Sequence, residues 1–171
     1  MSCQRSCIFD AIEEGEDGKL RINPSLCTGC GVCMDACKEE KLTASKDVLP
    51  AMKAVREAKG PAYMMVAPAF LGQFDETVTP GKLRSAFKAL GFTGMVEVAL
   101  FADILTLKEA LEFDGHVKEK GDYQLTSCCC PVWISMIRNI YHELMPHVPG
   151  AVSPMVACGR MIKRMHPDAV T

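Results

Sequence analysis

Charge of one sign, aromatic side chains and long apolar runs are all scarce in this 171-residue chain. Its 19 basic and 21 acidic side chains leave a net charge of −2, with no basic tract. That balance argues against nucleic acid or an anionic membrane surface as a partner. The longest apolar stretch, Pro61 to Gly72, is too short to cross a bilayer and is interrupted by Pro68. Met1 leads into Ser2, Cys3, Gln4 and Arg5, which is not the pattern of an export signal. The expected setting is therefore cytoplasmic and away from membranes. No Gly-rich phosphate loop is present, so a nucleotide is not indicated. The four histidines, His116, His142, His147 and His166, follow no ligand spacing and read as surface or internally satisfied residues. With a single tryptophan and 6% aromatics, the core is expected to rest on methionine and aliphatic side chains.

Cysteine is the exception to this sparseness. There are ten; six fall between Cys3 and Cys37, and three are consecutive. That distribution does not read as a disulfide framework, and it points to metal chemistry in a reducing compartment. Cys27, Cys30, Cys33 and Cys37 have the spacing C-x2-C-x2-C-x3-C, the bacterial ferredoxin run for a 4Fe–4S cluster, in which the fourth cysteine ligates the other cluster. Zinc sites usually separate their paired knuckles by a longer insert. Upstream, Cys3 and Cys7 repeat the x3 spacing that ends such a run, with Ile8 and Lys38 where proline is usual. The charged connector Glu13 to Asn23 carries the hairpin signal Asp17-Gly18. By the crossing rule, Cys7, Cys27, Cys30 and Cys33 complete one 4Fe–4S cluster. Cys3 and Cys37 then belong to a second, incomplete one, whose other ligands would precede Met1; the chain is expected to begin inside a motif.

Beyond residue 44, strand and helix signals alternate. The spacing predicts a helix over Ser45 to Gly60 and strands at Tyr63–Val66, Met95–Leu100 and Tyr123–Ser127. Helices are expected after Thr79-Pro80, around Ile104, Leu107 and Leu111, and after Ser153-Pro154. Such alternation implies a parallel sheet with helices packed on it. The expected fold class is thus mixed, α+β followed by α/β: a small ferredoxin-like module over 1–44, a linker helix over 45–61, and a parallel-sheet lobe over 62–171.

The segment Cys128-Cys129-Cys130-Pro131 concentrates the chemistry. Trp133, Met136, Ile137, Ile140 and Leu144 mark a helix after it, and Pro131 suits a first helical position. Cys130 then falls at the N-cap, where the helix dipole and unpaired amides favour thiolate. The plainer alternative is three buried thiols. In a parallel sheet the strand-end turns share one edge, which would bring Ala67, Pro68 and Ser153 alongside.

Thr126-Ser127-Cys128-Cys129-Cys130-Pro131-Val132-Trp133 resembles the first active-site signature of the iron-only (FeFe) hydrogenases, usually Thr-Ser-Cys-Cys-Pro-x-Trp. Met65 to Ala69 resembles the family's first strand-end loop, and Pro149 to Met155 the segment before its next helix. The resemblance covers Cys3–Cys37 and Ala62–Thr171. It implies a bipartite H-cluster, a cubane bridged to a two-iron subcluster bearing CO, cyanide and an azadithiolate. It further implies that Cys130 ligates the cubane, that Cys129 relays protons, and that Ala67, Pro68, Ser153 and Pro154 line the two-iron pocket. Cys128 departs from the pattern, since serine is usual there. The later signatures, Met-Pro-Cys-x-x-Lys and a Gly/Cys-rich one, are absent. The expectation is a ferredoxin module plus first lobe, needing a C-terminal lobe to complete it. The implied activity is reversible proton reduction to H2, with ferredoxin or another electron donor or acceptor as partner. The competing functions are a non-catalytic iron–sulfur assembly protein of the same fold, whose relay position tends to be alanine, and a plain electron-transfer or redox-sensing module.

Overall fold

The computed structural model describes residues 2–44 and 46–171. In chain order it holds helix α1 (Ser2–Arg5), strands β1 (Ile12–Glu14) and β2 (Leu20–Ile22), helices α2 (Val32–Asp35) and α3 (Val48–Glu57), and strand β3 (Tyr63–Val66). Helix α4 (Pro80–Ala89), strand β4 (Gly94–Glu97) and helices α5 (Ala99–His116), α6 (Pro131–Asn139) and α7 (Pro154–Met165) complete it. Short 3-10 turns, Pro68–Phe70 and His142–His147, follow β3 and α6. The chain divides into two compact units, Met1–Ser45 with His116–Gly150, and Lys46–Gly115 with Ala151–Thr171.

In the second unit, β3 and β4 pair in parallel, Tyr63 opposite Gly94 and Met65 opposite Val96. Val170 adds a further parallel bridge at Ala62: the Tyr63 amide donates to the Val170 carbonyl at 2.8 Å and the Val170 amide to that of Pro61 at 2.9 Å. Side chains alternate across a strand. Tyr63, Met65 and Val96 therefore share one face, where they pack against Val98, Ala169 and the α7 residues Cys158 and Ile162. Glu97 belongs to the opposite face and pairs with Arg84 of α4. A sheet covered on both faces explains why β3, Tyr63–Val66, reads as an unbroken apolar run. Gly60 is held tightly, because a β-carbon there would collide with the Asp168 carbonyl.

The helix starts follow local chemistry. Thr79 Oγ1 accepts the Lys82 amide at 3.3 Å and Ser153 Oγ the Val156 amide at 3.4 Å, with Pro80 and Pro154 at the first helical positions. The expected linker helix is α3; its proposed start at Ser45 lies outside the described residues. The strand expected to reach Leu100 ends at Glu97, because the chain turns into α5 by Ala99. Along α5, Leu100, Ile104, Leu107 and Leu111 form a stripe that is 59%, 56%, 69% and 70% exposed.

Two expectations for the first unit are corrected. Tyr123–Ser127 forms no strand ladder. The Leu125 amide donates to the His147 carbonyl at 2.7 Å, the Tyr123 carbonyl lies 3.1 Å from His147 Nδ1, and Tyr123 stacks on the His147 ring with centroids 3.9 Å apart. The segment packs against a 3-10 turn, so its alternating pattern finds no strand to pair with. Helix α6 also stops at Asn139 instead of running past Leu144. The backbone leaves the helical region at Tyr141, with φ −114° and ψ 51°, and continues as the 3-10 turn that holds Pro146. Upstream, the connector forms the expected antiparallel hairpin, Ile12 opposite Ile22, with Gly18 at φ 69° in its turn.

Ile162 is 7% exposed in the α7–sheet core. Ile162→Ala is expected to cost about 2–5 kcal/mol by chemical denaturation, from lost burial and the cavity left behind. Leu107→Ser, on the exposed stripe, should stay within about 0.5 kcal/mol of the parent.

Candidate functional site

The N-terminal segment is built as a repeat. Helices α1 and α2 each hold one cysteine, Cys3 and Cys33, and each is followed by another, Cys7 and Cys37. The Cys7 amide donates to the Gln4 carbonyl at 3.2 Å, and the Cys37 amide to that of Met34 at 3.0 Å. Three residues after each of these cysteines the backbone turns left-handed, at Asp10 (φ 49°) and Glu40 (φ 50°). Such angles are uncommon for residues with a side chain. The turn returns an amide to each sulfur. The Ala11 amide donates to Cys7 Sγ at 3.3 Å, and the Lys41 and Leu42 amides, with a smaller part from Glu39, hold the Cys37 thiol below its ordinary value.

Two cavities flank the hairpin. One, of about 240 Å³, is lined by Cys7, Cys27, Cys30 and Cys33, with Ile12 and Ile22 from the strands. The other, of about 490 Å³, has Cys3 and Cys37 in its wall with the same two isoleucines. The structure thus groups Cys7 with the three cysteines of the later run, and Cys3 with Cys37. Gly29 and Gly31, at φ 75° and 83°, let the loop between Cys27 and Cys33 curl in conformations that a side chain resists. Burial pushes the Cys33 thiol up, opposed by its own and the Met34 amide and reinforced by the Cys30 and Cys27 sulfurs. Crowded thiolates of this kind call for a positive centre among them.

A single ion is a poor match. Among the described residues, no three His, Cys, Asp or Glu side chains converge closely enough for one. Four thiols around a cavity suit a larger body that keeps its ligands apart. An iron–sulfur cluster fits the donor chemistry: soft anionic ligands, an amide aimed at Cys7 Sγ, and apolar walls. One further group points the same way. Thr28 is 3% exposed and lines the four-cysteine cavity, yet its hydroxyl has no hydrogen-bond partner among the described residues. A buried hydroxyl left without an acceptor costs about 1–3 kcal/mol.

In the other part of the first unit, Cys130 is the N-cap of α6 with extended backbone, and Pro131 opens the helix. Cys129 and Cys130 are exposed and Cys128 is half-buried, so the alternative of three buried thiols does not hold. The turn is pinned by Trp133, whose indole N–H donates to the Ser127 carbonyl at 3.1 Å. Ser127 Oγ lies 4.0 Å from Cys129 Sγ.

In the second unit, Ala67 and Pro68 follow the end of β3 and are exposed. Helix α7 runs antiparallel to β3. His166 at its end lies against Tyr63, with ring centroids 5.7 Å apart, and Gly159 lies beside Met65. Half-buried Ser153 and Pro154, at the other end of α7, therefore stand at the same sheet edge as Ala67 and Pro68. Because Tyr123–Ser127 is not a strand of that sheet, the shared-edge argument reaches these four residues and not the cysteines.

Residues 60–171 match the family profile described as iron-only hydrogenase large subunit, C-terminal domain. The chain belongs to the iron-only hydrogenase family. Residues 20–40 match the 4Fe–4S binding domain, which gives this iron-only hydrogenase homologue an iron–sulfur module as well. It is 29% identical to iron hydrogenase 1 of Clostridium pasteurianum over 79% of this chain and 22% of that protein. It is 33% identical to the periplasmic Fe hydrogenase large subunit of Nitratidesulfovibrio vulgaris over 73% of this chain and 29% of that one. A solved FeFe-hydrogenase structure, HydA(deltaEFG), superposes with a TM-score of 0.59 and 25% identity over 70% of this chain and 33% of that one. The chain thus spans less than a third of each of these two curated relatives. No helix among the described residues is long and apolar enough to cross a membrane.

Sequence reasoning missed Thr28, the Ala11 amide, the left-handed turns at Asp10 and Glu40, and the Trp133 tether. The equal offsets of Asp10 from Cys7 and Glu40 from Cys37 were the available signal for the turns. Trp133, as the only tryptophan, doubles as a reporter of its own tether. Trp133→Phe keeps an aromatic ring but removes the N–H donor and part of the indole's bulk. It should cost about 0.5–1.5 kcal/mol for the hydrogen bond, with a further loss for the volume removed, read by circular dichroism during unfolding.

Proposed function

We propose that the four-thiol cavity of Cys7, Cys27, Cys30 and Cys33 holds a 4Fe–4S cluster, and that Cys3 and Cys37 contribute to a second. The observation that carries this proposal is the cavity itself, with a cysteine from the first half of the repeat among three from the second. A 4Fe–4S cluster supplies one-electron storage. The protein's part is to hold the sulfurs, aim amides at them and keep water away. The module, residues 1–44, passes electrons between ferredoxin or a similar carrier and the rest of the protein, through a linker at 45–61, in a cytoplasmic setting.

We further propose that residues 62–171 form the first lobe of an FeFe hydrogenase catalysing 2H⁺ + 2e⁻ ⇌ H2, with a C-terminal lobe supplying the remaining ligands of the H-cluster. That cofactor supplies the metal centre at which protons and electrons combine. Cys130, at the N-cap of α6 and exposed, is placed to ligate its cubane. Cys129, exposed next to it, can take a proton from water at Sγ and deliver it inward, the role of a general acid and base. Ala67, Pro68, Ser153 and Pro154 present small and rigid surfaces to the two-iron part. Cysteine at position 129, where alanine marks the assembly paralogues, favours the catalytic alternative.

Anaerobic reconstitution with iron and sulfide should load about four irons and four sulfides on the single complete ligand set. Cys7→Ala should lose most of that iron and Cys3→Ala should retain it. Equal loss in both would show that the cysteines are not grouped by cavity. In the whole protein, Cys129→Ala should keep its clusters but lower hydrogen evolution from reduced methyl viologen by about 10²–10⁴-fold. Cys130→Ala should lose cluster iron. Full hydrogen evolution by both variants would remove Cys129 and Cys130 from the site.

A further inference from the structure

We propose that Thr28 is a tuning residue for the module's cluster: its Oγ1 hydroxyl donates a hydrogen bond to a cluster or cysteine sulfur and raises the reduction potential. The inference rests on the cluster proposed above for Cys7, Cys27, Cys30 and Cys33. Thr28 follows the first ligand of the later run and is almost fully shut off from water, at 3% exposure. It lines the cavity of those four cysteines, and its hydroxyl is unpartnered among the described residues. The only other side-chain oxygen or nitrogen so orphaned is that of Gln124, far along the chain. Thr28 is also the only buried polar or charged residue among the described ones. A buried hydroxyl normally finds an acceptor. The protein offers Thr28 none, whereas a cluster brings several sulfur acceptors into the adjoining space.

The consequence is electrostatic. Reduction adds one electron to the cluster, delivered by a low-potential reductant or an electrode, with no bond formed or broken and no proton required. The reduced cluster is one unit more negative, so a donor to its sulfur stabilises it more than the oxidised form. The Ala11 amide already reaches Cys7 Sγ at 3.3 Å; Thr28 would add a side-chain donor from the opposite half of the repeat.

The test compares the chain with Thr28→Val, which keeps the shape and removes the hydroxyl, and with Thr28→Ser, which keeps the hydroxyl. Each is reconstituted anaerobically. Iron and sulfide are assayed, and the midpoint potential is read by mediated titration of the reduced-cluster EPR signal. Thr28→Val should load fully and titrate at a more negative potential, by about tenfold in the reduction equilibrium constant, or about 59 mV for one electron. Thr28→Ser should stay near the parent. A less negative potential in Thr28→Val would overturn the proposal. A fully loaded Thr28→Val with an unchanged potential would overturn it too, leaving water as the hydroxyl's partner. If Thr28→Val does not load, Thr28→Ala is read in its place. Loading of Thr28→Ser alone would support the donor through cluster retention, and failure of all three variants would overturn it. A parent chain that takes up no cluster would sink the underlying assignment, an outcome distinct from all of these.

Discussion

Filling the cavity among Cys7, Cys27, Cys30 and Cys33 is the constraint on which the N-terminal segment depends. Apolar burial cannot hold it together. Its buried residues are Cys3, Ala11, Ile12 and Thr28, far too little for a segment of this length to stand on a hydrophobic core. The cluster proposed for the cavity would supply the rest. Sulfurs are gathered at mutual electrostatic cost, glycines give up side chains to let the loop curl, and amides turn toward thiols. Each of these features is unfavourable or neutral alone and becomes favourable around a positive, sulfur-bound body.

The lobe obeys a different logic. Its small parallel sheet is covered by α4 on one face and α7 on the other, and the closest packing lies where Cys158 and Ile162 meet Tyr63, Met65 and Val96. Once α7 is fixed antiparallel to β3, the start of the helix and the end of the strand share an edge. Nothing in Ala67, Pro68, Ser153 or Pro154 need attract the others; two rigid elements bring them there.

Much of this was legible from residue types. Thr79-Pro80 and Ser153-Pro154 marked helix starts because capping is local chemistry, and Asp17-Gly18 marked a turn for the same reason. The cysteine spacings put Cys7 with Cys27, Cys30 and Cys33 and Cys3 with Cys37, the same division by which they line the two cavities. The strand expected at Tyr123–Ser127 failed because alternation records a two-sided environment, not the presence of a neighbouring strand. The length of α6 was misjudged because apolar spacing continued to Leu144, and spacing of that kind is kept by the 3-10 turn that follows as well as by an α-helix. Thr28 was invisible in sequence, since its importance lies in what its hydroxyl does not touch. The noncontiguous compact units were equally hidden, because no local pattern records which distant segments share a neighbourhood.

The placement of Cys7 with Cys27, Cys30 and Cys33 has a mechanical consequence. The residues between Cys7 and Cys27 include the whole hairpin, with its exposed turn around Gly18. A body bound to all four sulfurs fastens the strand before that turn to the strand after it, much as a clasp joins two ends of a cord. A protease that nicked the turn would leave two peptides still held together. With the proposed cluster bound, separating them would require removal of its iron, and the covalent continuity of the turn and the integrity of the module would be independent properties.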